Sequence, residues 1–170
     1  DDNLARVRRQ IDWLSKHLDD PGLRARGADL WIQWRVGAGY CSSLVQGMTG
    51  GVMPLWHGQL LLSRFRYLDP VGKRPGIPTD CAALVDLLSD DAASLTLVNL
   101  NPGESREVWV QAGAYAEHRF IRVVPEEGSP MEVEGSLFAV RLAPGSGKRF
   151  RVRMKRYANS PTLALPWTEE

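Results

Sequence analysis

Only two cysteines, Cys41 and Cys81, occur in the 170-residue chain, too few to staple it as a disulfide scaffold. One bridge between them is arithmetically open. A pair of small buried thiols is the simpler expectation, because cysteine is among the most fully buried residue types. No Cys-x-x-Cys or His-x-x-x-His spacing occurs, so neither a metal nor another cofactor is expected. No run of eighteen or more uncharged apolar residues is present, which argues against a membrane-spanning helix. The net charge is only +1, so no global field points to nucleic acid or anionic lipid. GxSxG, P-loop, GxGxxG and HExxH patterns are all missing. The chain opens Asp1-Asp2-Asn3 with neither an initiator methionine nor a signal-peptide pattern, as expected of a processed chain or of a piece of a longer polypeptide.

What is present is the composition of a soluble globular protein, 44% apolar and 24% charged. The length suits one domain or two small ones sharing an interface. Leu4, Val7, Ile11, Leu14 and Leu18 alternate spacings of three and four, the stripe of an amphipathic helix. Asn3 is placed to cap it and Asp20-Pro21-Gly22 to stop it. Arg6, Arg8, Arg9 and Lys16 lie off the stripe, on a solvated face.

Between Asp29 and Ser63 the only charged side chain besides Asp29 is Arg35. Leu30 to Met48 suits a buried helix, broken near Gly37-Ala38-Gly39 and ended by Thr49-Gly50-Gly51. So long an uncharged block is expected to pack against more protein, either more of the chain or another subunit. Residues 69–80, with three prolines and two glycines, read as a linker.

After it the periodicity becomes two. Runs at Ala82 to Leu88, Ser94 to Leu100, Arg106 to Gln111, His118 to Val124, Met131 to Glu134 and Leu137 to Leu142 are separated by turn signals. In the last strand Phe150, Val152 and Met154 alternate with Arg149, Arg151, Arg153 and Lys155, one face on a core and one in water. The expected fold class is α+β, with N-terminal helices packed on a C-terminal antiparallel β-sandwich. Its segments are a helical part with a Gly-rich exit loop (1–68), the linker (69–80), the sandwich (81–157) and a tail packing back on the body (158–170).

Candidate chemistry centres on His57, in the turn PLWHGQ. A histidine between a tryptophan and a glycine can face a cleft as a base or a sugar-binding donor, or it can fix the turn through backbone hydrogen bonds. Trp56, Tyr40, Trp31 and Trp34 suit either a stacking platform for sugar rings or a core. Trp56, His57 and Tyr40 form the ligand-binding candidate. His17 and His118 read as structural. The basic face of the last strand, with Arg156 after it, is expected to pair with Glu126, Glu127, Glu132 and Glu134 across strands, which makes nucleic acid an unneeded partner.

Two stretches carry a resemblance. LVQGMTGGVMPLWHGQLLLSRFRYLDP, residues 44 to 70, is similar in style to the last helix and exit loop of an α/α toroid. LTLVNLNPGESREVWVQ, residues 95 to 111, with LFAVRLAPGSGKRFRVRM, residues 137 to 154, resembles an accessory β-sandwich. Together they resemble the C-terminal region of large carbohydrate-active enzymes of the glycoside hydrolase or polysaccharide lyase type. The resemblance implies sugar polymers or glycosides as the parent's substrates, and catalytic carboxylates upstream of Asp1. The expected function is a non-catalytic C-terminal portion or small subunit of such an enzyme, partnered by another polypeptide or by the upstream part of the same chain. A self-sufficient sugar-binding module and an assembly subunit with an obligate apolar interface stand as alternatives.

Overall fold

The structure, a computed structural model, describes residues 42–51 and 62–168, together with positions 5, 8, 9, 12, 13, 15, 16, 21 and 22. Contacts divide the chain into two compact units, Asp1–Val45 and Gln46–Glu170.

Every described position between 5 and 22 is helical, and Arg8, Arg9, Asp12 and Lys16 are exposed, on the face expected to be solvated. Pro21 and Gly22, expected to stop this helix, are themselves helical. The apolar stripe from Leu4 to Leu18 lies outside the described residues. Of the helix expected between Leu30 and Met48, the described part is Ser42–Thr49. It ends at Thr49 because Gly50 takes φ +63° and its N–H donates to the Gln46 carbonyl at 2.8 Å, the single-bond left-handed cap.

The second unit is mainly β. Among the described residues nine strands run β1 Phe65–Asp69, β2 Arg74–Pro75, β3 Cys81–Leu88, β4 Ala92–Asn99, β5 Arg106–Ala112, β6 Arg119–Pro125, β7 Met131–Gly135, β8 Leu137–Leu142 and β9 Gly147–Lys155. They form a four-stranded sheet, β2-β1-β5-β8, and a five-stranded sheet, β3-β4-β9-β6-β7. Each pairing is antiparallel. The described architecture is therefore mainly β and sandwich-like, where the sequence pattern predicts α+β.

One apolar cluster serves both sheets. Phe65, Val108, Val110, Phe138 and Leu142 of the smaller sheet meet Leu95, Leu97, Phe120, Phe150 and Val152 of the larger. Phe138 bridges the sheets, its ring 4.9 Å from Phe120 and 6.2 Å from Phe150. Alternation explains the partition. Phe150, Val152 and Met154 are buried while Arg149, Arg151, Arg153 and Lys155 are exposed, as a strand with one wet face requires.

The stretch 69–80, expected as a linker, is part of the smaller sheet. Asp69 pairs with Arg74 and Leu68 with Pro75 across a tight turn. Asp69 accepts the Gly72 N–H at 2.9 Å and an ion pair from Arg74 at 3.3 Å. Its prolines and glycines sit where an edge hairpin tolerates them, since a terminal strand needs no outward N–H. The first strand, β1, begins inside the 1–68 segment, after its Gly-rich exit loop.

The tail is tied to the β5–β6 loop. Thr162 N–H donates to the Tyr115 carbonyl at 2.8 Å, and Trp167 lies 6.2 Å from the Trp109 ring. Leu163, by contrast, stays exposed.

Candidate docking surface

The three ligand-binding candidates, Tyr40, Trp56 and His57, lie outside the described residues, as do Trp31, Trp34, His17 and Cys41. His118 is described, and both its ring nitrogens face protein. Nδ1 accepts the Tyr157 N–H at 3.1 Å, and Nε2 lies 3.8 Å from Glu117 Oε1. With Nδ1 accepting, the proton of the neutral ring sits on Nε2. Burial holds the imidazole pKa below its usual value, against the opposing pull of Glu117. No nitrogen is left for a substrate, so the role of His118 here is structural.

Cys81 carries a free, half-buried thiol. Burial pushes its pKa up, more than Arg106 draws it down, so little reactive thiolate forms near neutrality. Among the described residues no three His, Cys, Asp or Glu side chains gather as metal ligands, and no helix is long and apolar enough to cross a membrane.

The basic face of β9 finds its acidic partners on the side away from the expected glutamates. Arg149 pairs with Asp86 at 2.7 Å and Arg153 with Asp91 at 3.0 Å. Glu132 and Glu134 are engaged instead by Arg122 at 3.3 Å and Arg119 at 3.9 Å, both on β6. Side-chain size decides this. β4, between β3 and β9, sets only Ser94 and Thr96 opposite Arg151 and Arg149, so an arginine can reach across it. On the other flank β6 carries its own arginines, which intercept the glutamates of β7.

Where the β6–β7 and β8–β9 turns approach each other, a groove of about 720 Å³ opens. Glu126, Glu127, Arg141, Lys148 and Arg149 line it above Phe150. Its size is that of a small-molecule site, and its lining offers donors and acceptors of both signs.

The most unusual surface is β3, an edge of the larger sheet. A bulge between Val85 and Leu87 inserts Asp86 and resets the alternation. Leu84, opposite Thr96, and Leu87, opposite Ser94, thereby share the outer face. Leu88, opposite buried Ala93, is left at the open rim. These leucines are 43%, 49% and 51% exposed. An edge strand offers an outer row of backbone donors and acceptors, and proteins usually blunt such an edge with charge. Three leucines on one edge form an exposed apolar patch, with Gly47 of the helix end beside Leu84 and Gly50 beside Leu88. The sequence signal was the run 82–88, apolar except at Asp86, in a series of otherwise alternating strands.

Compared with known proteins, the chain matches no family model, no curated protein and no solved structure.

Proposed function

We propose that the chain is a non-catalytic accessory portion or small subunit of a larger carbohydrate-active enzyme, docked on the rest of that enzyme through the leucine edge of β3. The observation that carries this reading is the exposure of Leu84, Leu87 and Leu88 on a strand that is an edge of its sheet among the described residues. The resemblance of residues 44 to 70, 95 to 111 and 137 to 154 to the end of a toroid and its accessory sandwich supports the carbohydrate class. In that architecture the catalytic carboxylates belong to the partner or to upstream chain.

Native mass spectrometry of material isolated from its source tests this. The expected result is a complex with a larger polypeptide that degrades or binds glycans. Replacing Leu84 and Leu87 together by Lys dissociates the complex and leaves thermal unfolding of the chain unchanged, because both side chains are already half in water. A wild-type chain that travels alone as a monomer, or a double variant that still assembles, overturns the proposal.

The groove favours a second reading, a self-sufficient module for a sugar or small polar ligand. Guanidinium and carboxylate groups are suited to sugar hydroxyls, and its volume fits. Oligosaccharide titration followed by amide NMR separates the sites. Shifts confined to residues 125–150 assign the ligand to the groove, shifts at Tyr40, Trp56 and His57 assign it there, and none at either removes this reading.

A further inference from the structure

Glu117 and His118 are the only adjacent pair of buried titratable residues among the described positions, 6% and 2% exposed. They close the β5–β6 loop, and the last residues of the chain are bound to that loop. The Tyr157 N–H reaches His118 Nδ1 at 3.1 Å, and the Tyr157 ring stands edge-on to the imidazole at 4.9 Å. The Asn159 amide group donates to the carbonyls of Ala116 and His118, each at 3.0 Å. The Asn159 N–H donates to the Glu117 carbonyl at 3.2 Å.

Of these links only the one to Nδ1 depends on protonation. A neutral imidazole with its proton on Nε2 can accept at Nδ1, whereas an imidazolium carries hydrogen on both nitrogens and accepts nothing. Tyr157 stays docked only against strain. Its φ of +51° lies in the left-handed region, a conformation costly for a side chain of this kind and held only by its surroundings.

We propose that His118 is a pH-sensitive latch: its neutral ring holds the start of the C-terminal segment, Tyr157 to Asn159, on the β5–β6 loop, and its protonation loosens that hold. Glu117 faces the opposite ring nitrogen and serves as counter-ion to the protonated state, so charging the ring breaks the outward link to Tyr157 while the ring stays in place. Glu117 Oε2 is itself fixed by the Tyr115 N–H at 2.7 Å. The other charges bearing on the ring are the guanidiniums of Arg64, before β1, and Arg156, after β9, and both oppose protonation.

The sign follows from the environment. The docked ring, buried and with Nδ1 occupied, titrates below the ordinary histidine value of about 6.5, and release of Tyr157 removes part of that penalty while Glu117 still faces the ring. Docking is therefore at full strength at neutral pH and weakens as pH falls, by at most about tenfold per unit, until the docked-state pKa is reached.

Hydrogen exchange at the Tyr157 and Asn159 amides, corrected for the intrinsic pH dependence and followed by NMR, reads the latch in the whole chain. Between about pH 8 and about pH 5 the protection is expected to drop at least several-fold, with the midpoint of the His118 ring-nitrogen shifts. His118→Asn, whose side-chain oxygen takes the place of Nδ1 but does not titrate, should hold protection flat over the same range. Flat protection in the wild type while the ring titrates overturns the proposal, and so does an equal drop in His118→Asn. Where His118→Asn does not fold, the wild-type comparison of ring and amide midpoints decides alone.

Discussion

The side-chain amide of Asn99, at the end of β4, donates to the Ala143 carbonyl just beyond β8 at 3.0 Å, joining the larger sheet to the smaller. The same nitrogen donates to the Glu104 carbonyl at 2.8 Å, and Oδ1 accepts the Asn101 N–H at 3.0 Å. The side chain is wholly buried. Asn99→Ala leaves carbonyls and an N–H without these partners, at a cost of about 2 kcal/mol. Asn99→Asp costs more at neutral pH, because a carboxylate cannot donate and would face two carbonyl oxygens in a dry site. Urea unfolding checks the order. An Asp variant as stable as the Ala variant at neutral pH would show that water enters the site.

Tyr67, buried on β1, donates its hydroxyl to the Met48 carbonyl at 2.6 Å. This bond and the packing of Met48 on the core hold the end of the Ser42–Thr49 helix. Tyr67→Phe is expected to lower stability by about 1 kcal/mol and to speed amide exchange at Met48 to Gly50 more than in the strands. Burial raises the phenol pKa far above its usual value. A raised pKa keeps its stability below the unfolded value and loses it above, so stability falls as pH rises past about 10. Tyr67→Phe removes this alkaline component; an unchanged alkaline limb in the variant would assign it to other groups.

Period-two patterning made the larger sheet legible. Phe150, Val152 and Met154 against Arg149, Arg151 and Arg153 leave one arrangement with the apolar side chains inside, and the turn at Pro144-Gly145 fixes where β9 begins. The β1–β2 hairpin was hidden by the same rules, because prolines and glycines signal a turn without saying whether a sheet claims the residues beside it. Pro75 can pair only because β2 is at an edge. The leucine edge escaped for a different reason. Exposure of Leu87 depends on the bulge at Asp86, and a single charged residue in an otherwise apolar run does not say whether it alternates with its neighbours or is inserted as a bulge. Pairing of Arg149 with Asp86 depends on strand order, which the periodicity of single strands does not contain. His118 was legible as structural, but not its bond to Tyr157, 39 positions along the chain.

Gly113 and Gly145 both take positive φ, +85° and +60°, but their surroundings differ. A Cβ on Gly145 meets nothing within 4 Å, whereas one on Gly113 runs into the Glu117 carboxylate. Gly145→Ala should therefore cost only the backbone strain, about 1–2 kcal/mol. Gly113→Ala should cost about twice that, because Glu117 is buried and cannot swing into water without losing the Tyr115 N–H. Chemical unfolding of the two variants gives the difference directly. Equal losses would mean that Glu117 moves freely, and would weaken its assignment as the counter-ion of His118.

Arg149 and Asp86, 2.7 Å apart on the outer face, are both well exposed, at 45% and 36% of the side chain. Solvent screening and the entropy of holding two flexible side chains leave such a pair about 0.2–1 kcal/mol. A double-mutant cycle with Arg149→Gln and Asp86→Asn should give a coupling in that range at low salt, fading towards zero in about 1 M salt, where the screening length is about 3 Å. The pair also bears on the edge, because Asp86 is the bulge residue that puts Leu87 on the outer face. If the ion pair held the bulge in place, Asp86→Asn would shift the Leu87 and Leu88 amide signals as well as lower stability. The expected outcome is a small, salt-sensitive coupling with those signals unmoved, since the register of β3 is set by Val85 and Leu95 in the core. A coupling above about 2 kcal/mol that survives salt would reverse that order and make the ion pair the device that shapes the docking edge.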